Sequence, residues 1–380
     1  SRKSGLPPLA TALPLMHESA RQPLADVLAA IRLGTPVQAM GYRLGPNAER
    51  RLRSPAEIRS RYADLPDAVE RGLRMAERCR FSLSDLRFVY PREHLPPGET
   101  PVSHLMHLCR HGARRRYGDP LPGAVVRQLE HELALIHALD VEGFFLTMHE
   151  IVRFAREQGI LCQGRGSAAN SVVCYVLDIT AVDPIRYGLL FERFLSVERG
   201  EPPDIDVDFE HERREEVIQH VYTKYGRDHA GMVCETISYR PRSAIRDVGK
   251  SLGFSQEEVG RLARGSLWFD GEALAQERMR DAKVCPDDRR ARLLGKLVAE
   301  IQGFPRHRSI HVGGMVITDR PIGLVSPIEP AAMPGRTILP WNKDDCDALG
   351  IFKFDLLGLG MLTCIRKAFS LLRDRGVDLS

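Results

Sequence analysis

Apolar positions in the first 160 residues recur every three or four places, the spacing that lays one buried stripe along a helix. An amphipathic helix is expected over Pro23 to Leu33, closed by Gly34, and Ser54-Pro55 and Leu65-Pro66 each open a short helix before Cys79. Pro91 to Pro101 carries four prolines and Gly98, which reads as a linker and a first boundary. Helices are expected at about 102–116, 122–139 and 147–158. Past Gly159 the period changes: Ile160-Leu161-Cys162 reads as a buried strand, followed by a glycine-rich turn and an apolar helix at about 168–177. Residues 204–209 alternate as a strand does, and a charged helix follows over 211–225. The stretch 236–305 reads as helical and charged, with Trp268 and Phe269 as its aromatic cluster, and strand-like runs return at 311–318 and 350–356. Strand material on both sides of a helical block predicts one sheet domain with a helical insertion.

Composition narrows the class. Of 380 residues, 43% are hydrophobic and 27% charged, which excludes a mostly disordered chain and leaves ample material for a core. No apolar run approaches the ~20 residues of a membrane span, and no segment has the layout of a signal peptide. Eight scattered cysteines, none two residues from another, point to neither a zinc ribbon nor a redox pair; they suit a reducing, cytoplasmic compartment. The net charge of +4 names no partner by itself. Lysine stands at only eight positions, so arginine supplies nearly all the positive charge. That suits a polyanion partner, but arginine codons in a GC-rich genome are the weightier reading.

The sharpest chemical signal is Pro203-Asp204-Ile205-Asp206-Val207-Asp208-Phe209. In a strand the three aspartates share one face and the three apolar residues the other. Like charges about 4 Å apart repel by roughly 4 kcal/mol at an effective dielectric near 20, a cost that a divalent cation removes. Oxygen-only ligands favour Mg²⁺ or Mn²⁺ over zinc. Taken alone, the same pattern also describes an exposed acidic edge strand. In Ile351-Phe352-Lys353-Phe354-Asp355-Leu356, alternation puts Lys353 and Asp355 on one face. Asp355 would complete a two-metal cluster, with Lys353 offsetting charge or meeting a phosphate; the bland alternative is a surface ion pair. Gly164-Arg165-Gly166-Ser167, ahead of the apolar helix, offers backbone N–H groups for a phosphate, or is an ordinary strand-to-helix turn. It matches neither a Walker A loop nor Gly-x-Gly-x-x-Gly.

The order of Gly-Arg-Gly-Ser, Phe191-Glu192-Arg193-Phe194-Leu195, Pro203 to Phe209 and Lys353-Phe354-Asp355 resembles the bacterial C-family DNA polymerases, the DNA polymerase III α-subunit type. Cys162 to Ser171, Glu201-Pro202-Pro203-Asp204, Glu210 to Val217, Tyr239-Arg240-Pro241-Arg242-Ser243 and Trp341-Asn342-Lys343-Asp344-Asp345 resemble its error-prone, damage-tolerant branch. The resemblance implies an α+β fold: a polymerase β-like nucleotidyltransferase palm with an inserted helical thumb, preceded by a helical remnant of a PHP domain. Its implied boundaries are 1–92 for the remnant, 93–236 and 311–366 for the palm, 237–310 for the thumb and 367–380 for the start of truncated fingers.

By position, the resemblance makes Asp204, Asp206 and Asp355 ligands of two Mg²⁺ ions, Mn²⁺ being possible, with Lys353 beside them. Gly166 and Ser167 would hold the dNTP triphosphate, and Arg193 and Arg199 would be phosphate contacts. Asp208 is read as structural, and Arg240 and Arg242 as contacts to primer-template DNA. The family's sliding clamp and accessory mutagenesis proteins are implied partners, although the clamp-binding region is absent. The family's PHP histidines are represented only by His17 in Leu13-Pro14-Leu15-Met16-His17-Glu18, so no PHP metal site is expected. The chain stops where the fingers should begin, so weak or no polymerisation is expected of it alone. A non-catalytic DNA-binding remnant and a metal-dependent phosphoesterase are the competing classes.

Lesser signals remain. His104, His107 and His111 can share a helix face, Arg110 and Arg114 to Arg116 make a basic helix end, and Ser243 reads as a helix N-cap. His307 and His311 match a family segment and carry no assigned role.

Overall fold

The computed structural model describes residues 5–86, 91, 93, 95–195, 204–264, 279–285 and 287–377. Arg199, Trp268 and Phe269 lie outside the described residues. The chain is α+β, and its described strands form one seven-stranded sheet in the order β1-β2-β7-β4-β3-β6-β5. These are β1 Cys162–Arg165, β2 Asp206–Glu210, β3 Ala230–Ser238, β4 Pro305–Ile317, β5 Glu329–Pro330, β6 Thr337–Ile338 and β7 Phe354–Leu359. Among the described residues no helix is long and apolar enough to cross a membrane.

The chain divides into two compact units. One joins Ser82–Glu235 to Arg308–Ser380 and contains the centre of the sheet. Its helices begin where local chemistry lets them. In helix Pro101–Tyr117, Thr100 Oγ1 accepts the Ser103 N–H at 3.2 Å, and Ser103 Oγ accepts the Thr100 N–H at 2.8 Å. With Pro101 at the first position, little is left unsatisfied there. Helix Glu142–Glu157 starts at Glu142 rather than near 147 and presents Phe144, Phe145, Met148 and Ile151 to the core. Phe144 stacks on Phe354 of β7 with ring centroids 4.8 Å apart. Ile205, Val207 and Phe209 are fully buried in the same cluster. Each such side chain contributes about 2–3 kcal/mol by leaving water, which fixes the apolar backs of β2 and β7 and turns their other face toward the site.

The other unit joins Ser1–Phe81 to Thr236–His307. Leu24 and Val27 of helix Gln22–Leu33 share one core with Ile245 and Val248 of helix Pro241–Ser251 and with Leu294 and Leu297 of helix Arg289–Ile301. The amphipathic stripe read at the N-terminus thus finds its partner in the insertion.

Several elements differ from the sequence reading. β3 lies where no strand was expected, because its first five residues are buried throughout and show no alternation. The stretch expected as one helix over 168–177 is a 3₁₀ turn, Gly166–Asn170, followed by the short helix Val172–Val176. β4 begins at Pro305, inside the block read as helical. Ser243 is not an N-cap. The helix starts at Pro241, and Ser243 Oγ accepts the Arg240 N–H at 2.9 Å from the third position.

Candidate active site

β2 and β7 are parallel neighbours, and their register sets Asp206 directly beside Asp355. Asp204 sits just before β2 on the same alternating face. One carboxylate oxygen from each of the three lies within 4.8 Å of the others. The cluster grades from solvent to interior, with Asp204 exposed, Asp206 intermediate and Asp355 buried. The donor set is all oxygen, which suits a hard divalent cation. Asp355 Oδ1 has no hydrogen-bond partner among the described residues although it is fully enclosed. A buried carboxylate oxygen left unpaired is costly unless something positive reaches it.

Electrostatics follow the crowding. Burial, then the neighbouring Asp204 and Asp355 charges, push Asp206 up to about 6. Lys353 sits just ahead of β7; its Nζ donates to Asp204 Oδ1 at 3.0 Å and also bonds Asp355 Oδ2. Burial pulls its pKa down, but the two carboxylates outweigh that and raise it to about 12, so the ammonium stays charged. Arg165 on β1 pairs in register with Asp206, and its Nε lies 3.7 Å from Asp206 Oδ2 and 3.6 Å from Asp208 Oδ2. Four carboxylates therefore face two cations.

Next to this cluster is a cleft of about 570 Å³ lined by Gly166, Ser167, Asn170, Glu192 and Arg193. Gly166 has φ +66°, and a Cβ there would stand 4.0 Å from Asp206 Oδ2, so cleft and carboxylates adjoin. Gly164 is held to a close approach: a Cβ would meet the Ile179 carbonyl oxygen at 2.7 Å. The helix that follows does not supply free N–H groups to the cleft. Val172 and Val173 donate to buried Glu132 at 2.9 and 3.1 Å, and the Cys174 N–H bonds Ser171 Oγ at 3.1 Å. The cleft is instead lined by the 3₁₀ turn, at Gly166, Ser167 and Asn170.

Arg240 and Arg242 are exposed at the start of helix Pro241–Ser251, in the other unit. His104 bonds Glu99 rather than a shared histidine site. Arg165, Asn170 and Glu192 lie inside motifs read from the sequence but had no role of their own there, and Glu132 was not singled out. Only the strand register and the helix packing reveal them.

The sequence model of a family described as "Bacterial DNA polymerase III alpha NTPase domain" matches residues 103–358, the span that contains the whole cluster and cleft. The chain belongs to the bacterial DNA polymerase III alpha family. Among its relatives, proteins named error-prone DNA polymerase from Alkalilimnicola ehrlichii, Methylococcus capsulatus and Aromatoleum aromaticum are similar to it. They are 52%, 53% and 51% identical over 97%, 96% and 97% of the chain, which covers 36%, 35% and 35% of those proteins. This polymerase III alpha family chain thus spans about a third of the length of the curated relatives it matches. The match also covers most of the sheet and the helical insertion, so all three cluster carboxylates lie within family sequence.

Proposed function

We propose that the chain is the catalytic part of an error-prone DNA polymerase, transferring a nucleotidyl group from a dNTP to a primer 3′-OH on template DNA. The observation that carries this reading is the meeting of Asp204, Asp206 and Asp355 beside Lys353, against a cleft built on Gly166 and Ser167. In it, Asp204, Asp206 and Asp355 hold two Mg²⁺ ions, or Mn²⁺. When bound, such ions lower the pKa of the attacking hydroxyl and neutralise charge on the leaving oxygens.

The chain's own residues have distinct tasks in this proposal. Gly166, lacking a side chain, lets the triphosphate approach the backbone, Ser167 adds a hydroxyl, and Arg193 lines the same cleft as a phosphate contact. Arg199 is proposed beside it. Lys353 keeps Asp204 and Asp355 drawn together and offsets their charge. Asp208, ion-paired with Arg165, acts structurally. The helical insertion is proposed as the thumb, with Arg240 and Arg242 on DNA phosphates, and the N-terminal segment as the remnant of a PHP domain. The oxygen-only cluster, with no histidine among its three ligating side chains, supports transfer over phosphoester hydrolysis.

The test is binding of a fluorescent dATP analogue to the 380-residue chain with and without Mg²⁺. Binding should require the ion, vanish in Asp206→Asn and Asp355→Asn, and weaken about tenfold in Arg193→Ala. Any primer extension should disappear with the same aspartate changes. Ion-independent binding, or binding indifferent to Asp206→Asn, would refute the reading.

A further inference from the structure

Where β4 meets β7, the two strands pair at Gly314↔Asp355 and Met315↔Phe354. Backbone groups at the end of a ladder need partners beyond it. The amide N–H of Gly314 donates to His311 Nδ1 at 2.7 Å, and that of Gly313 to the same nitrogen at 3.3 Å. On the facing strand, the Leu356 carbonyl accepts from Arg214 Nε at 2.6 Å, and the Arg214 guanidinium also reaches the Val312 carbonyl. An imidazole from three residues back and a guanidinium thus brace the backbone where these two strands meet.

This meeting point lies at the carboxylate cluster. His311 Nδ1 is 3.8 Å from Asp355 Oδ1, the enclosed oxygen without a hydrogen-bond partner. Two N–H donors aimed at Nδ1 make that nitrogen an acceptor, so it has no hydrogen to offer Asp355. Space is as restricted as charge. A Cβ on Gly314 would lie 2.7 Å from His311 Nδ1 and 3.2 Å from Asp355 Oδ1. A Cβ on Gly313 would lie 2.5 Å from the Leu357 side chain and 2.9 Å from the Leu356 carbonyl oxygen. Any side chain at 314 would press on His311 and on Asp355 Oδ1 together.

We propose that His311 and Gly314 are positioning residues for the metal site: His311 pins the β4 backbone by accepting two amide hydrogen bonds, and Gly314, carrying no Cβ, keeps Asp355 from being crowded out of its place in the cluster. This rests on the proposed two-metal reading of the cluster and adds residues that touch neither substrate nor ion.

The experiment titrates the full chain with Mn²⁺ alone, followed by electron paramagnetic resonance of the free ion, with thermal melting in parallel. Asp206→Asn tests the underlying site and should remove tight Mn²⁺ binding; if it does not, the metal reading itself fails. With that control satisfied, Gly314→Ala should weaken Mn²⁺ at least tenfold, and His311→Ala about five- to tenfold. His311→Asn places an amide oxygen near the position of Nδ1 and should return the affinity to within about twofold of the wild type. Wild-type affinity in Gly314→Ala, or His311→Asn binding no better than His311→Ala, would overturn the assignment. If His311→Ala melts too low to titrate, the Gly314→Ala and His311→Asn affinities decide it in the same terms.

Discussion

Asp206 is an uncomfortable residue in the ion-free chain. Its carboxyl titrates near 6 in the fold, because burial and two neighbouring carboxylates oppose its charge, against 3.8 for the free side chain. The native state therefore holds more protons than the unfolded one between those values, and stability falls as the pH rises from about 4 to 6. Above 6 the loss is complete. Asp206→Asn removes it, so in EDTA at pH 7 that variant should be more stable than the wild type by about 1–2 kcal/mol, after allowance for partial solvent screening. The gap should close near pH 4. Thermal melting across that range checks it, and a variant less stable at pH 7 would contradict it. The same carboxylates were the most legible part of the sequence, since strict alternation exposes a shared face without any knowledge of partners. Arg165 and His311 were not legible in that way. Arg165 matters because β1 pairs with β2 in one register, and His311 because it folds back onto the third amide after it.

Among elements, the short helix Val172–Val176 depends on one distant residue. Glu132, fully buried, accepts from the N–H groups of Val172 and Val173 and from Ser171 Oγ, and also from Gln128 at 3.0 Å. Burial nonetheless raises its pKa. Glu132→Ala would strand these donors in the core and should destabilise the unit by about 3 kcal/mol in denaturant unfolding. Glu132→Gln keeps an acceptor and should cost less than half of that. Equal losses in the two variants would mean that side-chain volume, not hydrogen bonding, holds the helix. Neither this cap nor β3 was readable in advance, for related reasons. The carboxylate acts across forty positions, and Ala230-Gly231-Met232-Val233-Cys234 is covered on both faces, so its apolar run has no period to betray a strand. The helix at Pro101–Tyr117, by contrast, carries its start signal in Thr100, Pro101 and Ser103 and was readable to within a residue or two.

At the scale of the molecule, the N-terminal segment and the insertion share a core although some two hundred residues lie between them. Leu24→Ala should accordingly raise amide hydrogen exchange in helices Pro241–Ser251 and Arg289–Ile301 while leaving β2 and β7 protected; faster exchange confined to the N-terminal helix would deny the shared core. Under the proposed function, binding to primer-template DNA should weaken as salt rises. Arg240→Ala with Arg242→Ala should lower the slope of log affinity against log salt by about 2, and an unchanged slope would remove both residues from the DNA contact.

The order of strands has a consequence for how such a protein comes into being. β2 and β7 lie side by side, yet Asp204 and Lys353 are 149 positions apart, and β3 to β6 are all laid down between them. A chain emerging from the ribosome therefore displays its first pair of carboxylates long before their counterpart exists. Until β7 slots in next to β2, the growing polypeptide holds two of the three clustered carboxylates and lacks the third.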